Sequence, residues 1–140
     1  MHALSHDVVD PEEQAAGRAR ELAQARGARV IAVTSAAKAA ALKELGATST
    51  LERDDDLVAK LGANAVDVVI DLVAGPTWPA LLEVLRPGGR YAVSGAIGGY
   101  MVELDVRTLY LKDLSLFGCT VLEPAVFDAL IGRIERGEIA

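Results

Sequence analysis

Three apolar segments of this sequence end in small residues, and these ends are the first candidates for chemistry. They read VDVVIDLVAG (66 to 75), GGRYAVSGAIGG (88 to 99) and LSLFGCTV (114 to 121). A strand that finishes in Gly, Ala or Ser leaves its backbone open, so a flat ligand has room to lie against it. The pattern therefore indicates a ligand-binding surface at the ends of strands.

The sequence contains none of the usual catalytic motifs. It has no G-x-S-x-G nucleophile elbow, no Cys/His dyad and no Cys or His cluster with the spacing of zinc ligands. His2 and His6 are four residues apart, but they lie near a chain end where we expect fraying. We therefore predict no catalytic residue and no metal ligand in this chain.

Several polar residues in the strand segments have a structural interpretation. Asp71 lies inside an apolar segment, and a carboxylate there is expected to be hydrogen-bonded rather than catalytic. Tyr91, Tyr100 and Tyr110 are expected to be packing residues rather than acids. Cys119 is the single cysteine and lies in an apolar segment, which predicts a buried thiol in a reducing compartment.

The composition is that of an acidic globular domain. The chain has 140 residues, 51% of them hydrophobic, which suffices for one core and makes a second domain unexpected. Its net charge of −6 argues against nucleic acid and anionic membranes, which both attract a concentrated positive surface. No apolar stretch approaches the roughly 20 residues of a membrane span, and no signal-peptide pattern is present. We therefore expect a cytoplasmic protein.

Strand and helix patterns alternate along the chain. A nearly continuous apolar strand is predicted over residues 28 to 34, followed by a helix from Ala36 to Leu45 that Gly46 closes. A short strand near 49 to 51 comes next. A helix from about residue 54 to 61 follows, with three aspartates at its positive end.

The second half continues the alternation. Its predicted elements are strands at 66 to 73, about 90 to 96 and 114 to 121, a helix after Thr77, a short helix at 106 to 111, and a final helix that ends at Gly137. Strands that alternate with helices of this size imply right-handed crossovers. The predicted fold is α/β, a doubly wound, mostly parallel Rossmann-like sheet with helices on both faces, in a single domain over residues 1 to 140.

Together these segments resemble a known domain. With GARVIAVTSAAKAAALKELGA (27 to 47) upstream, the strand ends are similar to the nucleotide-binding domain of the medium-chain dehydrogenase/reductase superfamily. Within it they resemble the quinone-reductase-like and zinc-type alcohol dehydrogenase branches, over roughly residues 19 to 139. The resemblance implies the NAD(P)-binding domain of an oxidoreductase. In that family the substrate-binding and zinc-binding residues belong to a separate barrel-like domain that this chain does not encode, so we expect the chain alone to be catalytically silent.

The resemblance also implies residues that border the ribose and the nicotinamide. They are the strand-end residues Val73, Ala74, Gly75, Ser94, Gly95, Ala96, Ile97, Phe117 and Gly118. Small residues also occur in plain strand-to-helix turns, so a purely structural role is the alternative at these positions.

The end of the strand over residues 28 to 34 indicates which cofactor is preferred. Many enzymes of this class place an acidic residue there, which binds the adenosine ribose and rejects a 2′-phosphate. This chain has Thr34 and Ser35, then Lys38, and the quinone-reductase-like proteins resemble this arrangement, which favours NADP. Arg53 falls where family members often place an aromatic ring against the adenine, and a guanidinium would stack there or pair with a 2′-phosphate. A helix cap for Ser35 and a solvated helix face for Lys38 are the alternative roles.

The glycine-rich phosphate turn of this family is absent. A G-x-G-x-x-G turn normally follows the central first strand and brings backbone amides onto the pyrophosphate. The corresponding stretch from Asp10 to Ala16 reads DPEEQAA. Asp10 suits a helix cap, Pro11 the first helical position, and the two glutamates the first turn, so carboxylates oppose the phosphates by on the order of 1 kcal/mol per exposed pair. We therefore predict weak or absent pyrophosphate binding.

The first strand of the sheet is short or degraded. SHDVVD offers only two strongly strand-forming residues for the most buried position in the fold. Asp7 to Asp10 would still serve as a short strand. Otherwise the sheet loses its centre, or its second and fourth strands pair directly.

Two other functions fit the same sequence. One is a non-catalytic interaction protein that forms a homodimer. In it, strand 114 to 121 would pair edge to edge with its copy, as family members commonly do. A methyltransferase-like domain is the third function, because LRPGGR (85 to 90) before a strand also resembles that fold. That fold requires a glycine-rich turn which is absent here, and it more often carries an acidic residue in place of Ser35 and Lys38. A missing catalytic domain or a partner chain would complete any active site.

Overall fold

The computed structural model describes residues 11–120 and 123–138, with side chains from residue 17 onward. Its elements are α1 (Pro11–Ala25), β1 (Ile31–Thr34), α2 (Ala36–Glu44), β2 (Ser49–Glu52), α3 (Leu57–Leu61), β3 (Val66–Asp71), a 3-10 turn (Gly75–Thr77), α4 (Trp78–Val84), β4 (Leu85–Val93), α5 (Val106–Leu111), β5 (Ser115–Gly118) and α6 (Pro124–Glu135). The chain divides into two compact units, residues 1–53 with 121–140, and residues 54–120.

The first unit contains a parallel strand pair and its connecting helix. β1 and β2 pair in parallel from Ile31 opposite Ser49 to Thr34 opposite Glu52. The connecting helix α2 begins after Ser35, whose backbone is extended and whose hydroxyl makes no capping bond. Gly46, with φ of +97°, ends it as predicted, because glycine adopts this left-handed conformation without a steric penalty.

The second unit contains a three-stranded parallel sheet and the helices α3, α4 and α5. The strand order is β3-β4-β5, and the buried core consists of Trp78, Leu82, Leu85, Tyr91 and Leu114. These side chains come from α4, β4 and the turn before β5, so burial of the apolar stripe of α4 against the sheet stabilises the unit.

Two helices of the second unit, α3 and α5, begin at aspartate caps. Asp56 Oδ1 accepts a hydrogen bond of 3.0 Å from the Ala59 amide at the start of α3. Asp105 Oδ1 does the same for Arg107 at the start of α5, at 2.9 Å. The predicted aspartates at the positive end of the first of these helices are confirmed, and the helix begins at Leu57 rather than near residue 54 because the third aspartate is the cap.

The predicted start of β4 near residue 90 is wrong. The strand runs from Leu85, and an irregularity separates the pairing of Val66 with Leu85 from that of Val68 with Arg90. Gly88 has φ of +76° within this irregularity, and its amide donates to Lys112 O at 2.7 Å. The sequence RPGG therefore ends α4, as predicted, and also bends the beginning of the next strand.

Lys112 stabilises the end of α4. Its ammonium donates to the backbone oxygens of Leu82, Glu83 and Leu85 at 3.2, 2.7 and 3.2 Å. These carbonyls have no partner within the helix, and a cation near a helix C-terminus also complements the helix dipole.

The parallel α/β, Rossmann-like class is confirmed, but the described strands form two sheets rather than one. β1-β2 and β3-β4-β5 are both parallel. The predicted short strand from Asp7 to Asp10 lies outside the described residues. Direct pairing of the second and fourth predicted strands, now β1 and β3, is wrong for the described strands because these two belong to different sheets. Among residues 11–120 and 123–138, no helix has the length and apolar character that a membrane span requires.

Candidate functional site

The predicted residues for the adenosine end all lie in the first unit, around the ends of its two strands. Thr34 ends β1 and is 6% exposed, which limits access to its hydroxyl. Ser35 is half-buried at the start of α2, and its carbonyl accepts from the Lys38 amide at 3.0 Å. Lys38 is half-buried and has a further interaction within the chain, whereas Arg53 is exposed after β2.

An acidic residue at this edge was missed by the sequence reasoning. Glu52 ends β2 and is the register partner of Thr34, so the two Cα atoms are neighbours across a strand spacing of about 4.8 Å. It is exposed and interacts within the chain. The sequence signal was its place at the end of a strand, directly before Arg53. This edge therefore contains a carboxylate as well as basic groups, and its charge does not by itself select NADP over NAD.

The predicted residues for the nicotinamide end all lie in the second unit, where three strands end together. The Ser94 amide donates to Asp71 O at 3.0 Å, and the Cys119 amide donates to Val93 O at 2.8 Å. Because β3, β4 and β5 are parallel, their carboxyl ends meet at one edge. This edge is the usual ligand-binding side of an open α/β sheet.

Two loops at this edge pack backbone to backbone. The Gly75 amide donates to Gly99 O at 3.0 Å, and the Gly98 amide donates to Val73 O at 2.7 Å. A Cβ at Gly75 would overlap Gly98 O, and one at Gly95 would lie 2.6 Å from Leu72 O. The packing of the two loops therefore requires glycine at both positions, whatever binds there.

Gly118 is different, because nothing would lie within 4 Å of a Cβ at this position. It adjoins a pocket of about 270 Å³ that is lined by Ala74, Trp78, Tyr91, Val93, Ala96, Tyr100, Val102, Leu116, Phe117 and Gly118. Of the predicted residues, the structure thus brings together Ala74, Ala96, Phe117 and Gly118. The apolar and aromatic side chains that line the pocket suit a flat, mostly apolar ligand.

The other predicted strand-end residues do not line this pocket. Val73, Ser94 and Ile97 are exposed on the adjoining loops, and Gly75 and Gly95 serve the loop packing. The sequence reasoning missed the six pocket residues with larger aromatic or branched side chains, which are Trp78, Tyr91, Val93, Tyr100, Val102 and Leu116. Trp78 could have been found from its place directly after the glycine turn of a strand end.

Asp71 is buried and hydrogen-bonded, as predicted. Its Oδ1 accepts from the Val73 and Ala74 amides at 2.8 and 3.0 Å, and its Oδ2 accepts from the Tyr91 hydroxyl at 2.6 Å. Burial, and then this hydrogen bond, raise the pKa of Tyr91 above its ordinary value. Tyr91 also packs edge to face on Trp78, with ring centroids 5.8 Å apart, so its predicted packing role is confirmed.

The prediction that Cys119 is buried is wrong. The thiol is exposed, because the residue follows β5, whose four residues are themselves exposed at the edge of the sheet. In the part of the chain that the structure describes, no three His, Cys, Asp or Glu side chains gather as a metal site. The described residues therefore do not fit a zinc ion, and His2 and His6 lie outside them.

The stretch at the position of the phosphate turn is helical from Pro11 onward. Pro11 begins α1 as predicted, and Asp10 lies outside the described residues. The backbone from residue 11 to 16 thus forms the first turns of a helix and no glycine loop. Weak pyrophosphate binding stays a prediction.

The chain is similar to known proteins over most of its length. The family model described as zinc-binding dehydrogenase matches residues 18–136. The Bacillus subtilis (strain 168) protein named "Putative quinone oxidoreductase YhfP" is 30% identical over 132 residues, covering 84% of this chain and 40% of that protein. A solved structure titled as a putative alcohol dehydrogenase from Sinorhizobium meliloti 1021 is 44% identical with a TM-score of 0.77, covering 85% of this chain and 34% of that one. The structure of E. coli K-12 YhdH with bound NADPH is 25% identical with a TM-score of 0.74, covering 89% and 39%.

The chain spans 40% or less of the length of these relatives. The family match begins at residue 18, so the atypical stretch from residue 10 to 16 lies outside it. The match covers most of the chain. It includes the strand ends of both units and every residue that lines the pocket. The chain belongs to the zinc-binding dehydrogenase family, as the nucleotide-binding domain of a medium-chain dehydrogenase/reductase.

Proposed function

We propose that the pocket of the second unit receives the nicotinamide half of NADP and that the chain serves as the cofactor-binding part of an oxidoreductase. The observation that carries the proposal is the apolar pocket at the joined carboxyl ends of β3, β4 and β5. Phe117, which is 49% exposed, offers a ring face for stacking. Ala74, Ala96 and Gly118 place no bulky side chain in the pocket.

The bound nicotinamide would supply hydride transfer. Of the two tyrosines that line the pocket, Tyr91 donates its hydroxyl to Asp71 and is committed to that bond. In this proposal the chain holds and orients the cofactor. Family membership replaces the methyltransferase interpretation, and the cytoplasmic location remains a prediction.

The preference for NADP over NAD is the finer part of the proposal. Ser35, Lys38 and Arg53 would favour the 2′-phosphate, while Glu52 would oppose it. The YhdH structure is titled with bound NADPH, which supports a phosphorylated cofactor in a relative. The matched pair Lys38→Ala and Lys43→Ala tests this preference, because both lysines belong to α2 and Lys43 is exposed in its last turn.

Ligand binding in the pocket can be followed by the fluorescence of a residue that lines it. Trp78 is the only tryptophan of the chain and lines the pocket, so its fluorescence reports a ligand bound there. We expect saturable quenching by NADPH, weaker quenching by NADH, and a loss of NADPH affinity in Lys38→Ala but not in Lys43→Ala. Equal affinity for the two cofactors would contradict the NADP preference. No quenching at millimolar ligand, from protein shown to be folded, would refute cofactor binding.

A homodimer is a second proposal, on a separate observation. β5 is an edge of the described sheet, and all four of its residues are exposed. An uncovered edge with apolar side chains, such as Leu116 and Phe117, favours pairing with another strand. A second copy of the chain is the proposed partner, in keeping with the family resemblance.

A further inference from the structure

Asp71 connects the two walls of the pocket. Its Oδ1 accepts from the Val73 and Ala74 amides, which makes residues 71–74 an Asx turn. Its Oδ2 accepts from the Tyr91 hydroxyl. Because Ala74 and Tyr91 both line the pocket, one carboxylate holds residues from two neighbouring strand ends.

The backbone held by this turn is strained. Ala74 has φ of +53° and ψ of −139°, a region that residues with a Cβ rarely occupy. Its amide donates to Asp71 and its neighbour Gly75, with φ of +75°, donates to Gly99 O. This conformation brings Ala74 into a parallel bridge with Gly99. The position of the loop that contains Gly99 therefore depends on the loop that contains Ala74.

Each oxygen of the buried Asp71 carboxylate has a donor. Asp71 is 6% exposed, and two backbone amides and one phenol, at 2.6 to 3.0 Å, replace the water that burial removed. The turn therefore persists because the carboxylate offsets the strain at Ala74. Without an acceptor at position 71, nothing else described there binds the Ala74 amide.

We propose that Asp71 is a positioning residue, which holds the Asx turn and the Tyr91 hydroxyl so that the pocket is preformed before its ligand binds. The identity of that ligand, NADP, rests on the function proposed above. Asparagine would preserve the arrangement, since its carbonyl accepts from the two amides and its NH₂ donates to a rotated Tyr91 hydroxyl. Alanine would abolish it.

The first test is amide hydrogen exchange in the full chain without ligand. We expect Asp71→Ala to accelerate exchange at Gly75 and Gly98, whose amides join the two loops, by at least about tenfold, while Asp71→Asn stays close to the native rates. Unchanged exchange in Asp71→Ala would overturn the proposal. If Asp71→Ala does not fold, Tyr91→Phe removes only one of the three bonds and is expected to accelerate exchange at the same amides.

The second test separates positioning from stability. Ala74→Gly relieves the strain, so the double variant Asp71→Ala/Ala74→Gly is expected to regain part of the melting temperature that Asp71→Ala loses but none of the NADPH affinity, measured through Trp78 fluorescence. Recovery of both would show that Asp71 acts only through stability and would overturn the proposal. If the native chain binds no NADPH, the proposed function fails, and the exchange experiment alone decides whether Asp71 preforms the pocket.

Discussion

The Asp71 carboxylate and the Tyr91 hydroxyl form a buried pair whose value for stability is measurable. Tyr91→Phe keeps the ring but leaves Asp71 Oδ2 without a donor. We expect the free energy of unfolding to fall by about 1–3 kcal/mol, the cost of an unsatisfied buried polar atom. Urea denaturation at neutral pH measures it. Tyr110→Phe is the control, since Tyr110 is 60% exposed, and an equal effect in the two variants would contradict the assignment.

The raised pKa of the Tyr91 hydroxyl predicts that the free energy of unfolding depends on pH. Burial first, and then the Asp71 hydrogen bond, raise the pKa of Tyr91 above the ordinary 10.0. An unfolded chain therefore loses this proton at a lower pH than the folded chain, so the stabilisation is present below about pH 10 and is lost as the pH rises towards the folded pKa. We expect the free energy of unfolding to fall more steeply above about pH 10 in the native chain than in Tyr91→Phe. Parallel pH profiles would show that Tyr91 is not the source.

At the scale of the elements, the packing of loop 72–75 on loop 95–99 predicts a strong effect of one methyl group. Gly75→Ala adds a Cβ that would overlap Gly98 O, at a residue with φ of +75°. We expect a loss of about 2–4 kcal/mol in the free energy of unfolding, from backbone strain and overpacking together. Gly118→Ala is the matched control because its Cβ meets nothing within 4 Å. Comparable losses in both variants would mean that the loops do not pack as described.

At the scale of the whole molecule, the free edge of β5 predicts a dimer that one residue can block. The Cys119 amide points towards β4, and because alternate residues of a parallel strand point to opposite sides, the Leu116 amide points to the free edge. Leu116→Pro removes that donor without removing a bond to β4. We expect sedimentation velocity to show a dimer for the native chain and Leu116→Val, and a monomer for Leu116→Pro with unchanged circular dichroism. A native monomer at high concentration, or a dimeric proline variant, would contradict edge pairing.

The sequence by itself determined the elements and the class of fold. The bounds of α5 agree with the predicted residues 106 to 111, and α2 ends at its glycine. Both are governed by signals within a few residues, namely helical propensity, caps and left-handed glycines. Alternating strands and helices then leave few topologies, and the parallel pairings follow. Four of the pocket residues were predictable for the same reason, since they come directly at strand ends.

Only the tertiary structure decided what surrounds those strand ends. Trp78 and Tyr91 join the pocket through burial and strand register, and Glu52 faces Thr34 through the register of β1 with β2. Gly75 is small because another backbone lies against it, whereas Gly118 leaves open space. Local patterns contain no such information, because partners about 20 residues apart meet only when the sheet forms. The same holds for Asp71, whose residue type predicted hydrogen bonding and whose partners depended on the fold.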